Sequence, residues 1–148
     1  MARRIGILLM ALIAMVSFLY IARAQMGGKT WEKTVTLPSG ELILDMSGEW
    51  QATYEYYGSA SGLASGSGLP ITITQEGNTF IAVITIESRW LPKDAESFKG
   101  VLNGDGFEAV QIYRPDVGWT PCMWEISENG NKIVVEDGRC VTATLTRR

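Results

Sequence analysis

The chain has no histidine and only two cysteines among its 148 residues. Without an imidazole, a Ser-His-Asp or Cys-His catalytic site, a histidine general base and a histidine metal ligand are all excluded. Two cysteines are also too few for a Cys₄ or Cys₂His₂ zinc site. The composition still allows catalysis by carboxylates, a site for a hard cation, or a protein without catalytic activity. The length of the chain allows one domain.

Basic residues are scarce once the N-terminus is set apart. Residues 1–24 hold three arginines and no acid, so the rest of the chain has ten basic and sixteen acidic residues, a net charge of −6. It contains no basic run, since Arg147 and Arg148 at the C-terminus supply only two charges. An acidic chain of this kind is a poor partner for nucleic acid.

The first 24 residues have the three parts of a secretory signal peptide, which we expect to be helical. Arg3 and Arg4 precede the apolar run of residues 5–21, and Ala22-Arg23-Ala24 forms a small-x-small cleavage site. The alternative is an uncleaved membrane anchor, because an apolar run of this length can just span a bilayer. Both interpretations place residues 25–148 in the periplasm or the extracellular medium, since the arginines stay inside.

The exported part of the chain has the alternating pattern of β-strands, with turn residues at short intervals. We predict an all-β protein whose residues 47–148 form an eight-stranded antiparallel up-and-down β-barrel. Its first and last strands alternate apolar and polar residues, as half-buried strands do. The predicted strands cover residues 49–57, 70–76, 79–87, 98–103, 107–113, 122–128, 132–137 and 140–146.

Short and long connections alternate between these strands. Tight turns are predicted at residues 77–78, 103–106 and 128–131, where Gly and Asn have hairpin-turn chemistry. The long connections are residues 58–69, 88–97 and 114–121. In an up-and-down meander all long connections lie at one end of the barrel, which is where a rigid β-scaffold usually carries its binding surface.

Residues 25–46 form an N-terminal extension or strap before the barrel. Apolar residues on both sides of a Pro38-Ser39-Gly40 turn predict a hairpin or an extended segment. The predicted third strand is apolar on both faces, so the extension is a candidate to cover its outer side. An ordinary leading strand pair is the alternative.

The start of the first barrel strand resembles the lipocalin pattern of the wider calycin group of small β-barrels. Gly48 and Trp50 match its G-x-W motif, and Arg147 is the candidate for the basic residue that lies over the Trp in that family. The resemblance implies a reduced barrel with a ligand-binding mouth. A cation over an indole ring contributes about 0.5–1 kcal/mol when exposed.

Aromatic residues are the candidate ligand-binding residues at the long-loop end. Tyr54 and Tyr56 share the inward face of the first strand with Trp50, and Trp90 and Trp119 lie in two long loops. Such rings suit a small hydrophobic or aromatic ligand or a partner surface. The alternative is that Tyr54 and Tyr56 plug the barrel, because eight strands leave an interior that side chains can fill.

Cys122 and Cys140 are a predicted disulfide in an oxidising compartment. They open the sixth and eighth strands at the same end of the barrel, with one strand between them. Next-nearest strands lie about 9–10 Å apart, whereas a bridge needs Cα atoms within about 7 Å. The bridge therefore requires a short seventh strand or a bend near residue 122.

These features predict a non-enzymatic, exported binding module for a small hydrophobic or aromatic molecule. The acidic residues are scattered and predict neither a catalytic pair nor a metal site, and no cofactor is expected. The alternative is a plugged barrel that binds another protein, as an inhibitor or an accessory subunit of an envelope complex. Membrane contact is expected only through residues 5–21, if they stay uncleaved.

Overall fold

The computed structural model describes residues 30–57, 66–88, 91–114 and 117–148. Within these ranges the chain is all β and contains no helix, which confirms the predicted class. The expected signal helix lies outside the described residues. The strands are β1 (Thr34–Thr36), β2 (Leu42–Leu44), β3 (Gly48–Tyr56), β4 (Gly66–Glu76), β5 (Thr79–Ile84), β6 (Glu96–Asn103), β7 (Gly106–Arg114), β8 (Gly118–Pro121), β9 (Met123–Ile126), β10 (Lys132–Glu136) and β11 (Val141–Arg147).

Nine strands form one antiparallel sheet that curls into a nearly closed barrel. Its order is β8-β7-β6-β5-β4-β3-β11-β10-β9, while β1 pairs only with β2. Each of the eight predicted strands has a counterpart. The ninth, β8, lies in the segment 114–121, so the long loop predicted there is wrong. Gly118 and Pro121 suggest a loop, but β8 is an edge strand, and edges tolerate proline.

The two edge strands of the sheet, β8 and β9, belong to one continuous segment and are separated only by Cys122. β8 pairs with β7, and the Cys122 N–H still donates to the carbonyl of Val110 over 2.9 Å. β9 then turns away and pairs with β10. The ring of Trp124 meets that of Phe107 edge-on, with centroids 5.3 Å apart, and packs across the seam between β7 and β9.

The antiparallel order separates two ends of the barrel. In the β3–β11 pair, Trp50 lies opposite Arg147 and Tyr56 lies opposite Val141. The tight-turn end, which holds Trp50, carries the β4–β5, β6–β7 and β9–β10 turns. The loop end, which holds Tyr56, carries the β3–β4, β5–β6 and β7–β8 connections and the short turn between β10 and β11.

At the tight-turn end, Trp50 is fully buried and Arg147 lies over its ring. The guanidinium carbon is 4.3 Å from the ring centroid, so the two side chains stack. Arg147 also donates to the carbonyls of Ser47, over 3.0 Å, and Asp45. Gly48 opens β3 with a φ of 117°, a conformation that favours glycine.

The β1–β2 hairpin covers the tight-turn end rather than the outer side of β5. Leu44 packs against the β9–β10 turn near Gly130, and the Glu41 carboxylate accepts the Gly104 N–H over 2.6 Å in the β6–β7 turn. Ile81, on the outer face of β5, is 41% exposed. Of the expected alternatives the structure shows a strand pair joined as a hairpin, and this hairpin does not cover the third predicted strand.

Candidate functional site

Tyr54 and Tyr56 occupy alternate inward positions at the loop end of β3. Tyr54 is only 8% exposed and stacks on Phe98 of β6, with ring centroids 6.0 Å apart and an interplanar angle of 11°. Tyr56, two residues nearer the end of the strand, is half-buried. One tyrosine therefore belongs to the core, and the other lies at the rim.

Aromatic and aliphatic side chains pack the barrel below Tyr54. Phe80 and Phe107 lie 5.3 Å apart between ring centroids, and Phe107 continues the contact to Trp124. The inward residues of the neighbouring strands are buried around them. The stacked pair of Tyr54 and Phe98 thus forms a floor beneath the loop end.

Besides these buried rings, three apolar side chains are only partly buried. Tyr56 of β3, Leu69 of β4 and Leu91 of the β5–β6 connection all pack against the buried core while keeping part of their surface exposed. We call Tyr54, Tyr56, Leu69, Leu91 and Ser97 the mouth. Burial raises the pKa of Tyr56, and the nearby Cys140 adds to that effect.

The hydroxyl of Tyr54 is buried and has no hydrogen-bond partner among the described residues. Burial raises the pKa of Tyr54 well above its usual range, while the Ser97 side chain, close enough to act on the hydroxyl as a hydrogen-bonding group, lowers it and Tyr56 raises it further. The buried Ser97 hydroxyl donates to the carbonyl of Ala82 over 3.3 Å. The phenol of Tyr54 is therefore protonated at neutral pH and lies beside the Ser97 hydroxyl.

A second polar group at the loop end, Asp137 in the β10–β11 turn, is fully satisfied. Its Oδ1 accepts the backbone N–H groups of Arg139, Cys140 and Val141 at 2.9–3.0 Å. Its Oδ2 accepts Arg114 Nη1 over 3.1 Å from the end of β7. Burial acts to raise the pKa of Asp137, but the backbone hydrogen bonds outweigh it and lower the pKa to about 2. Asp137 thus joins the turn to the closing edge of the barrel.

The two cysteines lie near this carboxylate and are not joined by a disulfide. The Cys140 thiol donates to Asp137 Oδ2 over 3.5 Å, and the Cys122 thiol donates to the Thr120 carbonyl over 3.4 Å. The predicted bridge is not seen; Cys122 precedes β9 and Cys140 precedes β11, with β10 between these two strands. Burial, with a contribution from Asp137, raises the pKa of Cys122 to about 11, so its reactive thiolate is rare at neutral pH.

Trp119 lies on β8 and belongs to a cluster on the outer face of the sheet. It contacts Tyr113 of β7 edge-on, with ring centroids 5.5 Å apart, and the Lys99 ammonium lies 4.0 Å from its ring centroid. The expected place in a long loop is therefore wrong for Trp119. Trp90 lies outside the described residues.

A groove of about 590 Å³ lies below this cluster, across β5 to β8. Lys99 connects the groove to Trp119. Ile81, Val101, Ala109 and Pro121 are among its apolar lining residues, and Glu108 also lines it. We call this set, with Trp119 and Tyr113, the outer groove. It is a second candidate surface that the sequence does not predict.

Comparison with known proteins gives no match to any family model, curated protein or solved structure. Among the residues that the structure describes, no three or more acidic or cysteine side chains are grouped so that they could hold a metal ion. The described ranges also contain no helix of the length and apolar character needed to cross a membrane.

Sequence reasoning missed several residues of both surfaces. The pairing register of β6 and β4 places Ser97 and Leu69 in the mouth. Their local sequence contains no pattern that predicts this position. Tyr113 and Lys99 meet Trp119 because β6, β7 and β8 are neighbours. The alternation of Tyr113 with the inward Ile112 was a usable signal for an outward aromatic ring.

Proposed function

We propose that this protein is an exported, non-enzymatic binding module that takes a small hydrophobic or aromatic molecule at its mouth. The observation that carries the proposal is the partial exposure of Tyr56, Leu69 and Leu91, which pack against the buried core. One level lower, Tyr54 and Phe98 are buried. An apolar ligand seated on that floor would cover the three exposed side chains.

The finer fold and the location are part of this proposal. The Trp50–Arg147 contact supports a reduced lipocalin-like barrel of the calycin type, in which β8 and β9 together take the place of one strand. The signal sequence in residues 1–24 supports a periplasmic or secreted location. The packed lower barrel moves the proposed ligand from the interior to the mouth.

Fluorescence of the neutral probe N-phenyl-1-naphthylamine tests the mouth directly. We expect saturable enhancement with the exported form of the protein. Leu91→Asp should weaken probe binding at least about tenfold, because a carboxylate at the mouth must lose water when the probe binds. Ile81→Asp is the matched control, since Ile81 lies on the outer face. Absence of saturable binding, or equal loss in both variants, would contradict the proposal.

The outer groove supports a second candidate function, the binding of an envelope protein. Its partner would present an apolar segment carrying a carboxylate, which complements Lys99 beside Trp119. Native mass spectrometry of protein purified from its host separates the two candidates. A partner protein retained by Leu91→Asp but lost from Ile81→Asp favours the outer groove. A small molecule lost from Leu91→Asp alone favours the mouth.

A further inference from the structure

The outer groove is one continuous surface across four neighbouring strands. Its first row of paired residues crosses β5, β6, β7 and β8 in the order Ile81, Lys99, Gln111 and Pro121. A second row lies beside it: Thr79, Val101 and Ala109. Ile81 is 41% exposed, and Ala109 and Pro121 are also exposed. Contiguous apolar surface of this kind is typical of a face that packs against another protein.

The groove also carries one charge of each sign. Lys99 belongs to the first row. Glu108 is the extra residue of β7 at the register shift between β6 and β7, and it is exposed next to Ala109. Both side chains line the groove, and neither forms an ion pair with another residue that the structure describes. The Lys99 ammonium lies over the Trp119 ring, and its N–H groups can still bind a carboxylate.

A surface with this distribution of charge is complementary to itself. Val101 is two residues from Lys99 and pairs with Ala109, so apolar side chains lie between the two charges. Two copies related by a two-fold axis through this apolar part would place Lys99 of each copy opposite Glu108 of the other. Such an interface forms each of its contacts twice, which is the usual arrangement in homodimers.

Packing through the face of the sheet also agrees with the edge at β8. Pro121 ends that strand and has no backbone N–H, so this edge is a poor template for the addition of another strand. A partner therefore gains more from the exposed side chains of the groove than from the free edge beside it.

We propose that the outer groove is the interface of a homodimer, in which two copies of this chain pack face to face and form two ion pairs between Lys99 and Glu108. The inference rests on the second candidate function, protein binding at the outer groove. It names a second copy of the chain as the partner, because Glu108 supplies the carboxylate that complements Lys99. The mouth stays open in this dimer, since the groove lies on the wall of the barrel.

Charge reversal tests the proposal. Sedimentation-velocity centrifugation of the exported form of the protein measures the dissociation constant of the dimer. Lys99→Glu places carboxylates opposite each other in both ion pairs, and Glu108→Lys does the same with ammonium groups. We expect each variant alone to raise the dissociation constant at least about tenfold. An equal mixture of the two variants should restore the dimer, because each then supplies the charge that the other lacks.

Two further measurements make the test specific. Native mass spectrometry with one variant isotope-labelled should show a mixed dimer, and its formation also shows that both variants fold. Lys132→Glu and Glu125→Lys are the matched controls, since both residues are exposed on β10 and β9, away from the groove. Each control should leave the dissociation constant within about twofold of the unmodified protein.

Three results would overturn the homodimer. The first is a protein that stays monomeric up to about 1 mM. The second is a dimer that both charge reversals leave intact, and the third is a pair of variants that stay monomeric when mixed. A monomer that retains a different envelope protein, lost from Lys99→Glu, would also overturn it but would leave the second candidate function standing. N-phenyl-1-naphthylamine should bind equally to Lys99→Glu and to the unmodified protein, so the mouth is tested separately.

Discussion

Replacement of Asp137 by asparagine tests how the loop end of the barrel is held. The substitution keeps the size of the side chain but removes its charge. Three backbone N–H groups and the Arg114 guanidinium currently point at that carboxylate. In Asp137→Asn, an amide N–H₂ group replaces one oxygen, so either Arg114 or the turn loses its acceptor.

The magnitude follows from the pKa of the carboxyl group. It falls from 3.8 to about 2 in the folded protein, and one unit corresponds to about 1.4 kcal/mol. The charged form therefore contributes about 2–3 kcal/mol to the free energy of unfolding. The side chain is fully buried, so screening by solvent does not reduce this much. For a domain of this size, the loss lowers the unfolding temperature by about 10 °C.

The pH dependence gives the sharper readout. A carboxyl group whose pKa is depressed by folding stabilises the protein above its unfolded pKa, near pH 4, and loses that contribution as the pH falls towards 2. Urea unfolding at a series of pH values should show the unmodified protein and Asp137→Asn separated at pH 7 and converging near pH 2. Glu125→Gln, on the exposed face of β9, is the charge-matched control and should change stability by less than about 0.5 kcal/mol.

Two results would refute this reasoning. A difference between Asp137→Asn and the unmodified protein that stays constant from pH 7 to pH 2 would mean that the charge of the carboxylate is not the stabilising feature. A difference below about 0.5 kcal/mol at pH 7 would mean that the hydrogen bonds to Asp137 hardly favour its charged form. Either outcome would also remove the explanation for how the β10–β11 turn is fixed to β7.

Two further predictions concern the barrel itself. Arg147→Met should lower the free energy of unfolding by about 2–3 kcal/mol in urea titrations, because two carbonyls lose their donor and the Trp ring loses its cation. The neighbouring Arg148→Met should change it little, and equal effects would contradict the role of the stacking contact. Gly106→Ala should cost at least about 2 kcal/mol, because the new Cβ lies 2.9 Å from an indole ring and the φ of 135° disfavours a side chain. Gly40→Ala is the control, because the space around Gly40 is open, and it should lower the free energy of unfolding only by the backbone strain of about 1 kcal/mol. A loss as large as that of Gly106→Ala would argue against crowding at the seam.

The barrel strands were predictable because their alternation is strong and local. Trp50, Tyr54 and Tyr56 fall on one face of β3 at a spacing of two, and the structure turns that face inward. β8 was not predictable in the same way, since a four-residue edge strand ending in Pro121 has the composition of a loop. Whether such a segment becomes a strand depends on a neighbouring strand that the local sequence does not reveal.

The candidate site depends on contacts between distant segments, and these limited what the sequence could predict. Strand order alone places both cysteines at the loop end, as the structure has them. It does not predict that the Asp137 carboxylate binds the Cys140 thiol and the turn backbone at once. The register shift between β5 and β6 next to Ala82 likewise determines that both Ser97 and Phe98 are buried. A shift of this kind cannot be derived from an alternating pattern, which assumes a regular ladder.

The buried polar groups at the two ends of the barrel differ in their hydrogen bonding, and the group that stands out lies in the mouth. At the tight-turn end, Arg147 leaves its Nε without a partner, but the same guanidinium binds two carbonyls and stacks on Trp50. At the loop end, Asp137 uses both of its oxygens. Tyr54 differs from both, because its buried hydroxyl makes no hydrogen bond of ordinary geometry to the described residues, although Ser97 lies beside it. Departures of this kind from an otherwise consistent design are expected where a protein binds its ligand.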